Sequence, residues 1–593
     1  MDDSLLKKTK SAIEKFKHPR LLIAGGVILL IGGGIAAYLA LVQKGPSGNI
    51  PLAANIIPQD VFVAVSVSTN KRQWQKLRDF GTNESRALLD EYLEKWQELL
   101  KANGYDYEQD IQPWVGREIA IAFLPSQASL STNKSAVNTN LPIGQESVVI
   151  ILPIENAVRA KALLENPKPL KQGQWVERTY KNVKIREIQG LPDGSTYSIA
   201  LFDERFMVVT NHPQAIDLAI DTYKGSPSLT TTPGYSEALA KIETSNPLAR
   251  VYINVPAALA VAAIHSAKPI PPQAQAPLKE QQGFATNITL EPEGIRFNSV
   301  SWLKPDTQKK HRVENRAKEI LSRLPSNTLM TISGSSLAHM WQDYAEGARF
   351  NPLTPMNPEW LQKGVASSTG MDWEKDFIAW MDGEFSLSLL PAAENNPSQF
   401  PSALMLMVRA SNRRLAEKSL ERLDKVMRDR YKFKVEEVKV ANQPVINWTS
   451  QFGGVTLSRG WLNGNIAFLT LGAPVASAIT PKPQAPLALN PEFQKAFPSP
   501  IDVSSGNFFI DIERMNNAQQ FAFLDLPPVP KTILAAIRTI GVNTVMASER
   551  IIHSDILIRL KQEKPGALPP KKTSPPLAPT TPPAKQAQPS PTN

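Results

Sequence analysis

Residues Gly104–Pro125 read GYDYEQDIQPWVGREIAIAFLP, and residues Gly370–Pro391 read GMDWEKDFIAWMDGEFSLSLLP. Aligned without a gap, the two stretches are identical at 8 of 22 positions, where chance would give about one or two at ordinary composition. The identical pairs are Gly104/Gly370, Asp106/Asp372, Glu108/Glu374, Asp110/Asp376, Trp114/Trp380, Glu118/Glu384, Leu124/Leu390 and Pro125/Pro391. The chain therefore carries an internal repeat with an offset of 266 residues.

The repeat extends beyond these stretches in both directions. Upstream, Pro58–Leu77 aligns with Pro325–Tyr344 and shares a Pro, two Ser and Trp-Gln. Downstream, ARVYINV from Ala249 parallels GNFFIDI from Gly506. We predict a tandem duplication with repeat units at residues 55–305 and 320–562.

Both copies predict the same local structure around the repeated stretch. In each copy an Asp suits the N-cap position of a helix, and a Trp lies at the spacing of the buried face of that helix. A Gly then ends the helix, and a Glu begins a strand in which apolar residues alternate. The residues of this candidate structural motif are Asp106, Trp114, Gly116 and Glu118, and Asp372, Trp380, Gly383 and Glu384. Strands joined by short hairpins, with only a few helices, predict an α+β fold on a mainly antiparallel sheet.

The acids of the motif also resemble the opening of a calcium-binding loop. Asp106, Glu108 and Asp110 occupy positions one, three and five. The sixth position, however, is Ile111 where such a loop requires Gly, and the twelfth is Arg117 where it requires Glu. Helix capping and compensation of the helix dipole explain the acids better.

No catalytic constellation is recognisable. The chain has no Cys, and its six His are scattered without a ligand-pair spacing. Nucleophile elbows, Walker loops and dinucleotide fingerprints are also missing from the sequence. We therefore predict no catalytic residue, no cofactor and no metal site, and a protein that is not an enzyme.

The segment 21–42 predicts a transmembrane helix. Its 22 residues carry no charge, and a helix of that length is about 33 Å long. Six basic residues precede it within 1–20, so the positive-inside rule predicts a cytoplasmic N-terminus and a body on the far side of the membrane. Gly32, Ala36 and Ala40 form a stripe that could pack a second helix. A cleaved signal peptide is the alternative.

The positive charge does not predict nucleic-acid binding. Of the formal net charge of +10, residues 1–20 contribute +3 and residues 564–593 contribute +4. The nearly neutral body lacks the field that attracts phosphate backbones. The last 30 residues contain ten Pro, so we predict a disordered, Pro-rich tail over 563–593.

These features together resemble a family of proteins catalogued as a domain of unknown function. The resemblance rests on the basic N-terminus, the single span, and the aspartate-rich helix followed by Trp-Val-Gly-Arg-Glu and an alternating strand at Asp106–Phe123, repeated at Asp372–Leu389. That family is mainly cyanobacterial and membrane-anchored, with no assigned catalytic residues. The resemblance implies a periplasmic or lumenal body.

Three functions are compatible with these observations. The first is a membrane-anchored, extracytoplasmic binding or assembly protein whose partners are the lipid bilayer and a membrane complex or envelope component. The second is a carrier or receptor of a lipid or small apolar ligand, which an uncovered apolar sheet face would favour. The third is an envelope hydrolase with dispersed catalytic residues.

Overall fold

The structure is a computed structural model of the full chain. It describes residues 53–102, 104–125, 147–170, 172–191, 194–242, 246–265, 278–317, 319–348, 357–392, 400–450, 456–462, 465–497, 504–517 and 528–563.

The described residues form twenty strands in two sets of ten. The first set is β1 (Val63–Ser68), β2 (Glu118–Leu124), β3 (Ser147–Pro153), β4 (Gln174–Tyr180), β5 (Val183–Gln189), β6 (Tyr197–Phe202), β7 (Phe206–Thr210), β8 (Ala249–Asn254), β9 (Gln281–Glu291) and β10 (Gly294–Leu303). The second set is β11 (Met330–Gly334), β12 (Phe385–Pro391), β13 (Ser402–Arg409), β14 (Lys434–Val440), β15 (Gln443–Thr449), β16 (Thr456–Leu462), β17 (Ile466–Gly472), β18 (Gly506–Asp511), β19 (Ile537–Met546) and β20 (Ile551–Leu560).

All pairings between these strands are antiparallel. The first half runs β4-β5-β6-β7-β3-β2-β1-β8-β9-β10 across the sheet. The second half runs β14-β15-β16-β17-β13-β12-β11-β18-β19-β20, which is the same order. The two halves meet where β10 pairs with β20.

This architecture corrects the predicted fold class. We expected two tandem α+β units behind a membrane helix, but the strands form one large antiparallel sheet with helices. The reason is the β10–β20 pairing, in which Gly294 lies opposite Arg559 and Trp302 opposite Ile551. Strand periodicity cannot reveal a pairing between segments so distant in sequence. The domain boundaries themselves stay a prediction.

The prediction of a single-pass membrane protein is also corrected. Within the part of the chain that the structure describes, no helix is long and apolar enough to cross a membrane. The predicted span, residues 21–42 with Gly32, Ala36 and Ala40, lies outside the described residues, as does the tail from residue 564 onward. The predicted localisation rested on that span and loses its support with it.

Helices pack on both faces of the sheet. The described α-helices are α1 (Lys71–Leu77), α2 (Asn83–Ala102), α3 (Ala157–Glu165), α4 (Pro213–Tyr223), α5 (Tyr235–Leu239), α6 (Val255–His265), α7 (Leu337–Ala348), α8 (Pro358–Thr369), α9 (Arg413–Asp429), α10 (Ala476–Ile479), α11 (Pro491–Lys495), α12 (Ile512–Asn517) and α13 (Pro528–Ala536). The largest core lies in the first half, where Ile216, Ile220, Tyr235 and Trp302 belong to one buried cluster.

A row of buried polar residues crosses the middle of the sheet. Each member lies directly opposite the next on the neighbouring strand; in order they are Arg250, Asn287, Asn298, Asp555, Asn543 and Asn507. At the centre, Arg296 Nε donates to Asp555 Oδ1 at 2.8 Å, and His553 Nε2 lies 2.9 Å from Asn298 Oδ1. Such groups are tolerated in a core only when they are paired.

Candidate functional site

The repeated Asp residues cap short turns rather than long helices. Asp106 accepts hydrogen bonds from the backbone amides of Glu108 and Gln109, at 3.0 and 3.1 Å. Asp372 accepts from the amide of Lys375 at 2.9 Å. The turns that follow, Tyr107–Ile111 and Trp373–Phe377, are single π-helical turns.

The two repeated Trp residues are buried in equivalent positions. Trp114 is 3% exposed and Trp380 is 2% exposed. Each indole N–H donates to the carbonyl four residues earlier, Asp110 O at 2.7 Å and Asp376 O at 2.8 Å. A buried indole therefore anchors each turn beside the sheet with its polar group satisfied.

The glycines allow close approach of neighbouring backbone. A Cβ on Gly116 would lie 3.2 Å from the Pro153 carbonyl oxygen, and the Gly116 amide donates to that oxygen at 2.6 Å. A Cβ on Gly383 would lie 2.3 Å from the Arg409 carbonyl oxygen. Only glycine fits the second position without moving backbone.

The repeated Glu residues differ in their partners. Glu118 Oε2 accepts from Arg250 Nη1 at 2.6 Å, and both side chains are buried. In the second half Asn507 stands where Arg250 stands in the first, and Glu384 instead accepts from the amide of Ile320 at 2.9 Å. Burial raises the pKa of Glu384 above its usual range. These motif residues hold turns to strands.

The two halves differ on one sheet face. Val63, Val65, Phe123 and Val148 are between 1% and 5% exposed in the first half. Their register equivalents are Met330, Ile332, Leu389 and Leu404. Ile332 is 36% exposed, Leu404 is 41% exposed, and Leu471 beside Leu404 is 46% exposed. We call Met330, Ile332, Leu389, Leu404 and Leu471 the open face.

Helix α6 explains why the first half is closed. Its residues Ala257, Ala258 and Val261 pack against the cluster formed by Val63, Val65, Phe123 and Val148. In the second half the aligned helix α12 is six residues long and begins Ile-Glu-Arg-Met. Arg514 aligns with Ala257, and its guanidinium donates to the Asn327 carbonyl oxygen at 2.9 Å.

A groove of about 1370 Å³ continues from the open face. Its floor includes Ile332, Phe508, Val542 and Thr544. Three floor positions that hold valine, alanine or isoleucine in the first half are glycine or threonine here, and the Phe385 ring occupies the space above Gly334, 2.6 Å from an added Cβ. The pairs are Val67/Gly334, Ala249/Gly506 and Ile288/Thr544.

Charged residues of both signs line the groove. The segment 304–314 contributes Lys304, Lys309, Lys310 and Arg312 together with Asp306 and Glu314, and α7 contributes Asp343 and Glu346. The segment contacts α7, because Arg312 Nη1 donates to Gln342 Oε1 at 3.3 Å and Glu314 Oε2 lies 3.2 Å from His339 Nδ1. Burial lowers the pKa of His311, and nearby Lys309 lowers it further.

Sequence reasoning missed both the open face and the groove. The available signal was the unequal divergence of the repeats: aliphatic strand positions persist in the second copy, while the apolar segment after β8 becomes polar after β18. Of the described residues, no group of three or more His, Asp or Glu could hold a metal ion.

The family model described as "Protein of unknown function (DUF3352)" matches residues 22–560. The chain belongs to the DUF3352 family. This membership supports the broad resemblance seen in the sequence, whereas a cyanobacterial origin and a membrane anchor are not shown by it. No curated protein matches the chain in sequence.

Two crystal structures are distantly similar to this DUF3352 protein. Crystal form III of TP0453 is 7% identical with a TM-score of 0.23, and covers 44% of this chain and 82% of its own. Crystal form IV of TP0453 is 8% identical with a TM-score of 0.24, and covers 42% of this chain and 81% of its own. Similarity at this level supports no structural or functional argument.

Proposed function

We propose that this protein is a binding or assembly protein that holds an apolar partner against the open face. The observation that carries the proposal is the contrast between equivalent positions: Val148 is 5% exposed, whereas Leu404 is 41% exposed. Equivalent strands of the two halves therefore carry apolar side chains at the same positions, but only those of the first half are buried under a helix of the chain, α6.

Energetics favour a bound partner on that surface. Fully burying one aliphatic side chain contributes about 1.5–3 kcal/mol. Ile332, Leu404 and Leu471 each remain more than a third exposed. A partner that covers them therefore gains part of this burial free energy from each of the three side chains. Contiguous exposed apolar surface on a folded protein marks an interaction site.

Site-specific photo-crosslinking in living cells tests the proposal. A photo-crosslinking amino acid in place of Leu404 should give a discrete product. The matched control replaces Leu489, which is 70% exposed but lies in a short 3₁₀ turn away from the open face. Products that are identical at both positions, or absent at Leu404, would contradict a binding role for the open face.

A carrier of a small apolar molecule or lipid is the second candidate. The groove favours it, because ligand cavities are concave and combine apolar surface with polar groups, and the floor of this one includes Ile332, Phe508 and Val542. Mass spectrometry of the crosslinked product distinguishes the two: a lipid adduct supports the carrier and a peptide adduct supports the assembly protein.

A further inference from the structure

A cleft of about 660 Å³ lies in the first half and shares no residue with the open face. Its lining residues come mainly from the segment before β1, from α4 and from the start of α6. We propose that this cleft binds a guanidinium group carried on an aliphatic stem, with Asp60 as its carboxylate partner. This site goes beyond the binding role of the open face and does not depend on it.

The second half holds a guanidinium of its own at the equivalent place. Arg514 Nη2 donates to the Asn327 carbonyl oxygen at 2.9 Å, and Arg514 Nη1 lies 3.8 Å from Asp511 Oδ2. In the aligned repeats Asn327 corresponds to Asp60, and Arg514 corresponds to Ala257. The first half therefore has only a methyl group where the second half has a guanidinium on a flexible stem.

Hydrogen bonds show that the backbone is arranged in the same way at both places. The residue before β1 accepts a hydrogen bond from the amide of Asn254 at 3.0 Å, and the residue before β11 accepts one from the amide of Asp511 at 2.8 Å. The Asn254 side chain then accepts from the amide of Ala257 at 3.3 Å, and the Asp511 side chain accepts from the amide of Arg514 at 2.9 Å. The space that Arg514 reaches thus corresponds to the part of the cleft beside Ala257.

Asp60 is the carboxylate that is available to an incoming cation. It is exposed, and within the part of the chain that the structure describes it forms no ion pair. Lys304 lines the same cleft without pairing with Asp60, whereas Asp221 is already held by Lys181 at 2.7 Å. The surrounding protein nevertheless desolvates Asp60 and raises its pKa. A bound cation supplies the interaction that the lost hydration no longer provides.

The cleft also offers apolar surface to the stem of the ligand. Leu218, Pro256 and Ala257 are among its lining residues. The methylene stem of an arginine packs along such surface while its charged end reaches a polar partner. A guanidinium is planar, permanently charged and has five N–H donors, so it can bind a carboxylate and a backbone carbonyl together. A metal ion or a small ammonium ion uses none of the apolar surface, and this favours the alkylguanidinium.

Saturation-transfer NMR on the full chain tests the proposal with three probes. They are the N-methylamide of N-acetylarginine, its neutral counterpart made from citrulline, and agmatine, a free alkylguanidine. We expect at least one of the two cations to bind at least about tenfold more tightly than the citrulline amide. Tighter binding of the arginine amide points to an arginine side chain of a partner protein, and tighter binding of agmatine points to a free small molecule.

Two variants connect binding to the cleft. Asp60→Asn introduces the side chain that the second half has at this position, and it should weaken the bound cation at least about tenfold. The matched control is Asp79→Asn, which changes an exposed aspartate that does not line the cleft and should leave binding unchanged. Ala257→Arg places a guanidinium of the chain itself in the cleft and should abolish probe binding. Asp60→Asn alters an exposed side chain alone, so the test stays valid even where Ala257→Arg fails to fold.

Three results would overturn the proposal. They are equal binding of the arginine and citrulline amides, binding that Asp60→Asn leaves unchanged, and a lack of binding by both cationic probes. Each concerns the first half alone, so the open face of the second half keeps its own test at Leu404.

Discussion

Asn298 and Asp555 lie directly opposite each other at the centre of the sheet, where the last strands of the two halves pair. They occupy equivalent places in the two strand sets, so the sheet is organised about this pair. Asp555 is held by Arg296, and Asn298 is contacted by His553. The junction of the halves is therefore polar, buried and paired.

Removing the arginine at this junction should destabilise the protein strongly. Arg296 makes two hydrogen bonds of 2.8 Å to Asp555, whose side chain is 4% exposed. Arg296→Ala leaves a buried carboxylate without its cation, and we expect a loss of about 3–5 kcal/mol in the free energy of unfolding. Urea denaturation measures it. A second substitution, Asp555→Asn, should recover part of the loss, and a loss below about 1 kcal/mol would contradict the pairing.

Glu384 should make stability fall as pH rises. Burial raises its folded-state pKa above the ordinary value of 4.5. The stabilisation from the protonated form is therefore complete below that value and is lost as pH rises through the folded pKa. Glu384→Gln removes the titration, so the variant should gain stability relative to the native chain between pH 4.5 and neutrality. Urea titrations across that range measure the difference.

Glu187 provides the control of opposite sign. Burial alone would raise its pKa, but hydrogen bonds from Arg178 and Gln189 lower it below the usual range. Its stabilisation is present above the ordinary value and is lost as pH falls through the folded pKa. Glu187→Gln should therefore cost stability near neutral pH. If the stability difference from the native chain changed with pH in the same direction for Glu384→Gln and Glu187→Gln, the environments assigned to the two carboxyl groups would be wrong.

Replacing Gly383 and Gly364 by alanine should change the stability of the protein in opposite directions. A Cβ at Gly383 would lie 2.3 Å from the Arg409 carbonyl oxygen, so Gly383→Ala must displace backbone and should lower the melting temperature. Gly364 lies inside α8 with no atom within 4 Å of an added Cβ. Gly364→Ala should stabilise the protein by about 0.5–1 kcal/mol. Calorimetry of both variants checks the pair.

Much of the local structure could be predicted from the sequence. The strands Glu118–Leu124 and Phe385–Pro391 lie where the alternation after each motif glycine predicts them. The helix expected after Asp106 is only a π-helical turn. The second copy forms the same five-residue turn with Ala379 at the position of Pro113, so a proline is not required for it.

The open face could not be predicted from sequence patterns, for a physical reason. Exposure of Leu404 depends on whether another element packs above it, and alternation along β13 is the same in either case. Comparing Ala257 with Arg514 shows where the helical cover is altered, but the sequence does not show that the segment containing Ala257 packs on β1 and its neighbours. The joining of β10 to β20 likewise depends on pairing between distant segments.

Thiol labelling tests the central claim most directly, because the chain has no native Cys. Leu404→Cys and Val148→Cys place one thiol each at equivalent positions of the two halves. We predict fast reaction of the folded protein with a maleimide at position 404 and strong protection at position 148, with equal rates after unfolding in urea. Equal protection of both thiols in the folded protein would contradict an open apolar face in the second half.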